Sequence, residues 1–369
     1  MGFCYIYVSL CFRTLLMKSI LRCIFSLFFL SIHIGLSAQS PVEADSFKLV
    51  KQGSHYVFSA DINGKAEAKL LLESGIPAML ADSSFVFGGG LLSDLELTPS
   101  DGEKINLGGR PYRITHKAVG TVRISDHTSY CGEVFILSGY AQDYEIAVPI
   151  QHLQNDAGHH IVRLNLENCT LEVLNRSSLR GLKGLYSMTP INTKAYLGMP
   201  AVKTTLEVVD GDNVRKLKGN FNIDFGNPEL VFLMHQHADV QRFLSENPDL
   251  ELREGRNPRG EVIAQFIIAE RCCICNTDFN GAVIAITKAL PRFTTTGLIG
   301  LKYFNSIDAI FDFDRNRLYT SRPYTSRPYI SGPYTSGPPQ IQFVHSCPQC
   351  CILNPKVGRL PVYCSPRHA

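Results

Sequence analysis

Two short segments of this chain each carry one carboxylate in the same setting. The first is LLLESGIPAML, from Leu70 to Leu80, and the second is FNIDFGNPELV, from Phe221 to Val231. Each has an apolar run, an acid, a gap residue, a glycine, another gap residue and a proline. Glu73 therefore aligns with Asp224, Gly75 with Gly226 and Pro77 with Pro228. An acid at a strand-to-turn junction, present twice, points to two lobes that bring two carboxylates together. Two carboxylates held close cannot both ionise, so such a pair shares a proton. One acid can then deprotonate a water while the other protonates the carbonyl oxygen under attack.

The elements that must position these acids repeat as well. HYVFSADI, the turn Asn63-Gly64 and KAEAKLLLES predict a hairpin running into Glu73. AVKTTLEVV, the turn from Asp210 to Asn213 and VRKLKGNFNIDFG predict the same hairpin running into Asp224. The ends of the two units match too: LNLENCTLE aligns with FDFDRNRLY, placing Asn165 on Asp312 and Leu171 on Leu318. A unit of this length implies two similar lobes, because solenoid repeats are far shorter. HQHADVQRFLSENPDL is the strongest helix candidate. The fold class expected is mainly β, as two related lobes over residues 55–175 and 196–319, with an inter-lobe cleft. Residues 39–54 read as a polar lead-in and 176–195 as a linker.

The remaining composition sets the context. The chain has 369 residues, enough for a sizeable core, and a net charge of +3 that calls for no nucleic-acid partner. Residues 1–38 read as a leader and signal peptide. Met17 is an alternative start, Lys18 and Arg22 form a basic region, CIFSLFFLSIHIGL is apolar, and Leu36-Ser37-Ala38 is a small-residue cleavage pattern. The expectation is an exported protein of the periplasm, cell surface or medium, in a compartment that permits disulfides. Nine of the twelve cysteines follow the leader. Cys272-Cys273-x-Cys275 is too tightly spaced for a metal and lies in a predicted strand, and Cys347-x-x-Cys350 lacks a second ligand pair. Of the eleven histidines, His55, His116, His152, His159 and His160 show no ligand spacing, and neither metal nor cofactor is expected. Residues 320–369 read as a low-complexity tail, with pentads such as YTSRP and a proline every fifth residue.

The acid motifs resemble those of the retropepsin-like and pepsin-like aspartic peptidases, especially two-lobed exported bacterial forms. The resemblance runs from about His55 to Tyr319, most of the chain after the leader. Phe221 to Gly226 is similar to the family's apolar-apolar-Asp-Thr-Gly pattern. Leu70 to Gly75 matches with Glu for Asp and Ser for Thr. Leu298-Ile299-Gly300 resembles the apolar-apolar-Gly element that threads beneath an acid loop. The resemblance implies Asp224 and Glu73 as the catalytic dyad, supported by Ser74, Gly75, Phe225, Gly226 and Gly300. It also implies a peptide or protein substrate, and a monomer whose two lobes replace the halves of a dimer. Three departures accompany it. Glu73 is one methylene longer than Asp, Phe225 replaces the hydroxyl residue beside Asp224, and the first lobe reads Ala147-Val148-Pro149 where a glycine is expected. Three readings stay open: an aspartic endopeptidase, an inactive pseudo-peptidase that binds peptide or glycan, and a purely structural β-rich surface protein with its acids far apart.

Overall fold

The computed structural model describes residues 44–107, 110–140, 144–182, 185–194, 198–256, 261–287 and 294–321. The leader, nearly all of the repetitive tail and its cysteines lie outside the described residues. No described helix is long and apolar enough to cross a membrane.

The chain is mainly β. Its first half forms β1 (Asp45–Lys48), β2 (Val50–Gln52), β3 (His55–Ile62), β4 (Ala66–Glu73), β5 (Met79–Asp82), β6 (Thr98–Pro99) and β7 (Lys104–Leu107). It continues with β8 (Arg110–Arg123), β9 (Thr128–Leu137), β10 (Ile146–Pro149), β11 (Leu153–Asn155), β12 (Ile161–Asn165) and β13 (Thr170–Val173). The second half forms β14 (Tyr186–Asn192), β15 (Ala201–Asp210), β16 (Asn213–Ile223), β17 (Val231–Met234) and β18 (Leu252–Arg256). It closes with β19 (Val262–Ile274), β20 (Thr277–Thr287), β21 (Gly297–Ile299), β22 (Asp308–Asp312) and β23 (Arg317–Ser321). Three helices punctuate them: α1 (Ser83–Gly89), α2 (Ala238–Glu246) and α3 (Leu301–Phe304).

Strand order shows how the halves correspond. In the first lobe it runs β3-β4-β10-β5-β9-β8-β6, and in the second β15-β16-β21-β17-β20-β19-β18. These are the same seven positions in the same order. Both acid-bearing strands, β4 and β16, are joined to their predecessors by tight turns, and Asn63 and Gly64 supply the left-handed backbone that the first turn requires. Inside each lobe a later strand slots in parallel beside the acid strand. Val148 pairs with Leu72 in β10, and Ile299 pairs with Ile223 in β21.

The lobes meet in a shared layer ordered β1-β13-β12-β22-β23-β14. At its centre Arg163 of β12 pairs with Ile310 of β22. These two residues are also repeat counterparts, since 310 minus 163 equals the spacing of 312 minus 165 found in the sequence. The pseudo-twofold axis passes through this pair. The lead-in and the linker, which the sequence marked as having no strands, supply the outer strands of this layer. β1 comes from the lead-in and β14 from the linker. Both are polar and expose most side chains, so no apolar alternation reveals them.

Arg163 is also the polar centre of the layer. Its guanidinium donates to both carboxylate oxygens of Asp308, at 3.0 and 2.6 Å, and to Glu172 at 3.1 Å. The Tyr186 hydroxyl donates to Asp308 at 2.7 Å, so one carboxylate gathers β12, β14 and β22. Arg163→Met would leave Asp308, buried in the layer, with Tyr186 as its remaining side-chain donor. The expected loss is about 2 kcal/mol of unfolding free energy, the scale of a hydrogen bond to a charged group. Urea titration checks it, and an unchanged midpoint would remove Arg163 from the inter-lobe contacts that matter.

Candidate active site

The two acids are brought together. Glu73 ends β4 and is fully buried, with Pro149 paired beside it. Asp224 follows β16, is also buried, and continues the ladder through its N–H to the Ile299 carbonyl at 2.9 Å. The glycines report how the carboxylates face. A Cβ on Gly75 would lie 2.2 Å from Oδ1 of Asp224, the acid of the other lobe. A Cβ on Gly226 would lie 2.9 Å from Oε1 of Glu73 and 3.1 Å from Oδ1 of Asp224. Those two oxygens are therefore no further apart than 2.9 plus 3.1 Å. Neither glycine is in the left-handed backbone region. Glycine is therefore not needed to permit an unusual backbone. Here it is required because a side chain would collide with the opposing carboxylate.

Ser74 ties the two loops. Its Oγ accepts the Phe225 N–H at 3.0 Å and donates to the Ile223 carbonyl at 2.9 Å, crossing from the first lobe to the second. Phe225 has no hydroxyl with which to return these bonds. Its buried ring instead packs edge-on against Phe304 at 5.3 Å and Phe311 at 6.0 Å. Aromatic packing fixes the second loop from beneath, where hydrogen bonding fixes it from above. His55, half-buried at the start of β3, lies near the Phe225 backbone, and burial favours its neutral form.

The lower supports differ between lobes. In the second, Gly300 passes so close beneath the loop that a Cβ would sit 2.2 Å from the Glu229 carbonyl oxygen and 2.3 Å from that of Asn227. The next residue, Leu301, donates its N–H to the Asn227 carbonyl at 2.8 Å. In the first lobe Pro149 stands where Gly300 does. The counterpart of Asn227 is Ile76, and its carbonyl takes the side-chain amide of Gln151 at 2.9 Å. A side chain there does the work of a backbone N–H. Gln151 supports the first acid loop and His55 lies near the second, and sequence reasoning gave neither a place at the site. Both sit in strand or turn contexts that carry no motif.

Electrostatics separates the two acids. Burial raises the Glu73 pKa well above the usual carboxylate range, and the nearby Asp224 charge raises it further. The N–H groups of Ser74, Gly75 and Gly226 oppose part of this, yet neither Glu73 oxygen has a hydrogen-bond partner of ordinary geometry among the described residues. Burial raises Asp224 too, opposed by the Gly226 and Asn227 N–H groups. The Gly226 N–H donates to Asp224 Oδ1 at 2.9 Å. The anion is thus better solvated on Asp224.

Among the described residues, no group of three or more His, Cys, Asp or Glu side chains converges as a metal site. Cys272 is buried in β19, while Cys275 lies beyond it in a left-handed turn with Asn276. Both carry free thiols, as do Cys169 and Cys273, whereas Cys131 is disulfide-bonded.

The sequence matches no family model and no curated protein. Among solved structures, the chain is similar to an aspartic proteinase from Irpex lacteus at 10% identity, over 76% of this chain and 98% of that one, with a TM-score of 0.48. It is also similar to basic 7S globulin from soybean at 8% identity, over 76% and 95%, with a TM-score of 0.45.

Two outcomes follow from the site. Carboxylates whose folded pKa lies above the unfolded value hold protons that the unfolded chain releases, so stability falls as pH rises above the ordinary carboxylate range. The slope reaches about 1.4 kcal/mol per pH unit for each proton retained. Glu73→Gln should flatten this fall and be the more stable form at pH 8, as read by urea titration at pH 5 and pH 8; parallel curves would mean that Glu73 ionises freely. Ser74→Ala removes both inter-lobe bonds and leaves a buried N–H and carbonyl without them, costing about 1–3 kcal/mol in the same titration.

Proposed function

We propose that this chain is an exported, monomeric aspartic-peptidase-like hydrolase that cleaves peptide bonds with an asymmetric Glu73–Asp224 dyad. One observation carries the reading: an acid from each lobe reaches the same point between them, with the loops cross-tied by Ser74. The pair would work while holding one proton. Asp224 has the hydrogen-bond donor and is the ionised partner; Glu73 keeps the proton. Asp224 accepts a proton from water as its oxygen attacks the scissile carbonyl carbon. Glu73 gives its proton to the carbonyl oxygen. Collapse of the tetrahedral diol breaks the C–N bond, with Asp224 passing its proton to the leaving nitrogen and Glu73 regaining one from the diol hydroxyl.

A second reading is a pseudo-peptidase that binds peptide without cutting it. The missing hydroxyl at Phe225 favours it, because the dyad is then held by one cross-tie rather than two. A misplacement of about 1 Å can cost a hundredfold in rate.

Peptide-library digestion by the whole chain from about pH 3 to pH 8 separates the two, with the range set by the titration of such dyads. Cleavage should follow a bell-shaped pH profile, since both the unprotonated and doubly protonated pairs are inactive. Asp224→Asn should lower kcat/KM by at least about a hundredfold. Cleavage unaffected by Asp224→Asn would rule out the dyad. A folded parent that binds peptides without cutting them would establish the second reading.

A further inference from the structure

Asn222 is the polar residue of β16 closest to the reacting acid that no part of the fold uses. It is fully buried, and neither Oδ1 nor Nδ2 of its amide has a hydrogen-bond partner among the described residues. Strand alternation puts it on the side of Asp224 and opposite Phe221 and Ile223, which belong to the main core. Across the sheet it pairs with Leu298, which pairs in turn with Phe232. Leu298 and Phe232 form a separate small apolar cluster with Met234, Phe266 and Ala285.

The first lobe shows what this position looks like when it only packs. Its counterpart there is Leu71, two residues before Glu73. Leu71 belongs to a wholly apolar cluster with Val57, Leu80 and Ala147. A leucine at 222 would continue the Leu298–Phe232 patch and leave no polar atom unpaired. An amide there costs about 1–3 kcal/mol for each buried group left without a partner. A ligand group is a partner that would remove that cost.

We propose that Asn222 determines specificity: it selects peptides whose side chain next to the scissile bond is neutral and hydrogen-bonding, an amide or a hydroxyl. Residues two apart on a strand are about 7 Å from each other. A chain whose carbonyl lies over Asp224 thus places its neighbouring side chain against Asn222. The amide offers one acceptor and two donors, which a carboxamide can match in both senses. An apolar side chain would leave the amide unpaired, so rejection of the wrong substrate exceeds the attraction of the right one.

This inference rests on the peptide-directed reading above, and its test separates the two. The whole chain, Asn222→Leu and Asn222→Ser are profiled against one peptide library varied on both sides of the cleavage point. The parent should favour Asn, Gln, Ser or Thr beside the scissile bond over Leu by at least about tenfold in kcat/KM. Asn222→Leu should abolish or reverse that preference, and Asn222→Ser should keep part of it. Urea titration should find Asn222→Leu as stable as the parent or more so, which excludes misfolding as the cause. Cleavage with the same preference in all three proteins would overturn the inference while leaving the dyad intact. If no protein cleaves, equilibrium binding to the same immobilised library gives the reading. Selectivity that follows residue 222 sustains the inference although the catalytic reading has failed, and uniform binding or none overturns it.

Discussion

Ser74 Oγ stands between the two acid loops, accepting an N–H from the second lobe and donating to a carbonyl of the same lobe. Those bonds hold together two buried carboxylates that would separate if free to do so. Burial and mutual repulsion act in the same direction on Glu73, and the glycines opposite each acid leave no room for a side chain between them. The strain of this arrangement is electrostatic rather than conformational, because the backbone of both loops avoids the left-handed region. What resists it is the sheet beneath. Each acid continues a strand flanked by one antiparallel and one parallel neighbour, and both lobes are anchored to one shared layer at the Arg163–Ile310 pair.

The departures from symmetry are met by local substitutions of one interaction for another. The second lobe supports its loop with a backbone N–H and a glycine that allows close approach. The first lobe, with proline at that position, recruits the Gln151 side chain to the equivalent carbonyl. The hydroxyl missing at residue 225 is replaced by a ring wedged among Phe304 and Phe311. A hydrogen bond fixes direction and a ring fixes position.

Much of this was legible in the sequence, and the reason is that it is periodic. The repeated acid-x-Gly-x-Pro located both carboxylates, and the hairpins and the closing strands follow the alternation of apolar residues. β1 and β14 were missed because each buries a single residue, Phe47 and Ile191, and so shows little apolar alternation. Gln151, His55 and Asn222 were missed for a different reason. Each is an ordinary polar residue whose importance arises only from what the fold places opposite it: a loop carbonyl, the neighbouring Phe225 backbone, or no side-chain partner among the described residues. Local pattern cannot encode such a partner. The repeated spacing located both glycines but not what requires them, since a carboxylate from the other lobe is invisible to a window of a few residues.

The same unevenness fixes where the proton resides. Two aspartates in matched loops would compete for one proton on nearly equal terms, and each could serve as acid or base. Here the donors are unequal: Asp224 accepts the Gly226 N–H, while the longer Glu73 carries both oxygens into a place without an ordinary hydrogen bond. A proton is the cheapest way to neutralise a buried carboxylate that lacks donors. In the proposed dyad this inequality makes Glu73 the acid and Asp224 the base. In that reading a substrate would meet the lobes with its carbonyl oxygen toward Glu73 in the addition step, and each acid would return to its starting state when the diol collapses.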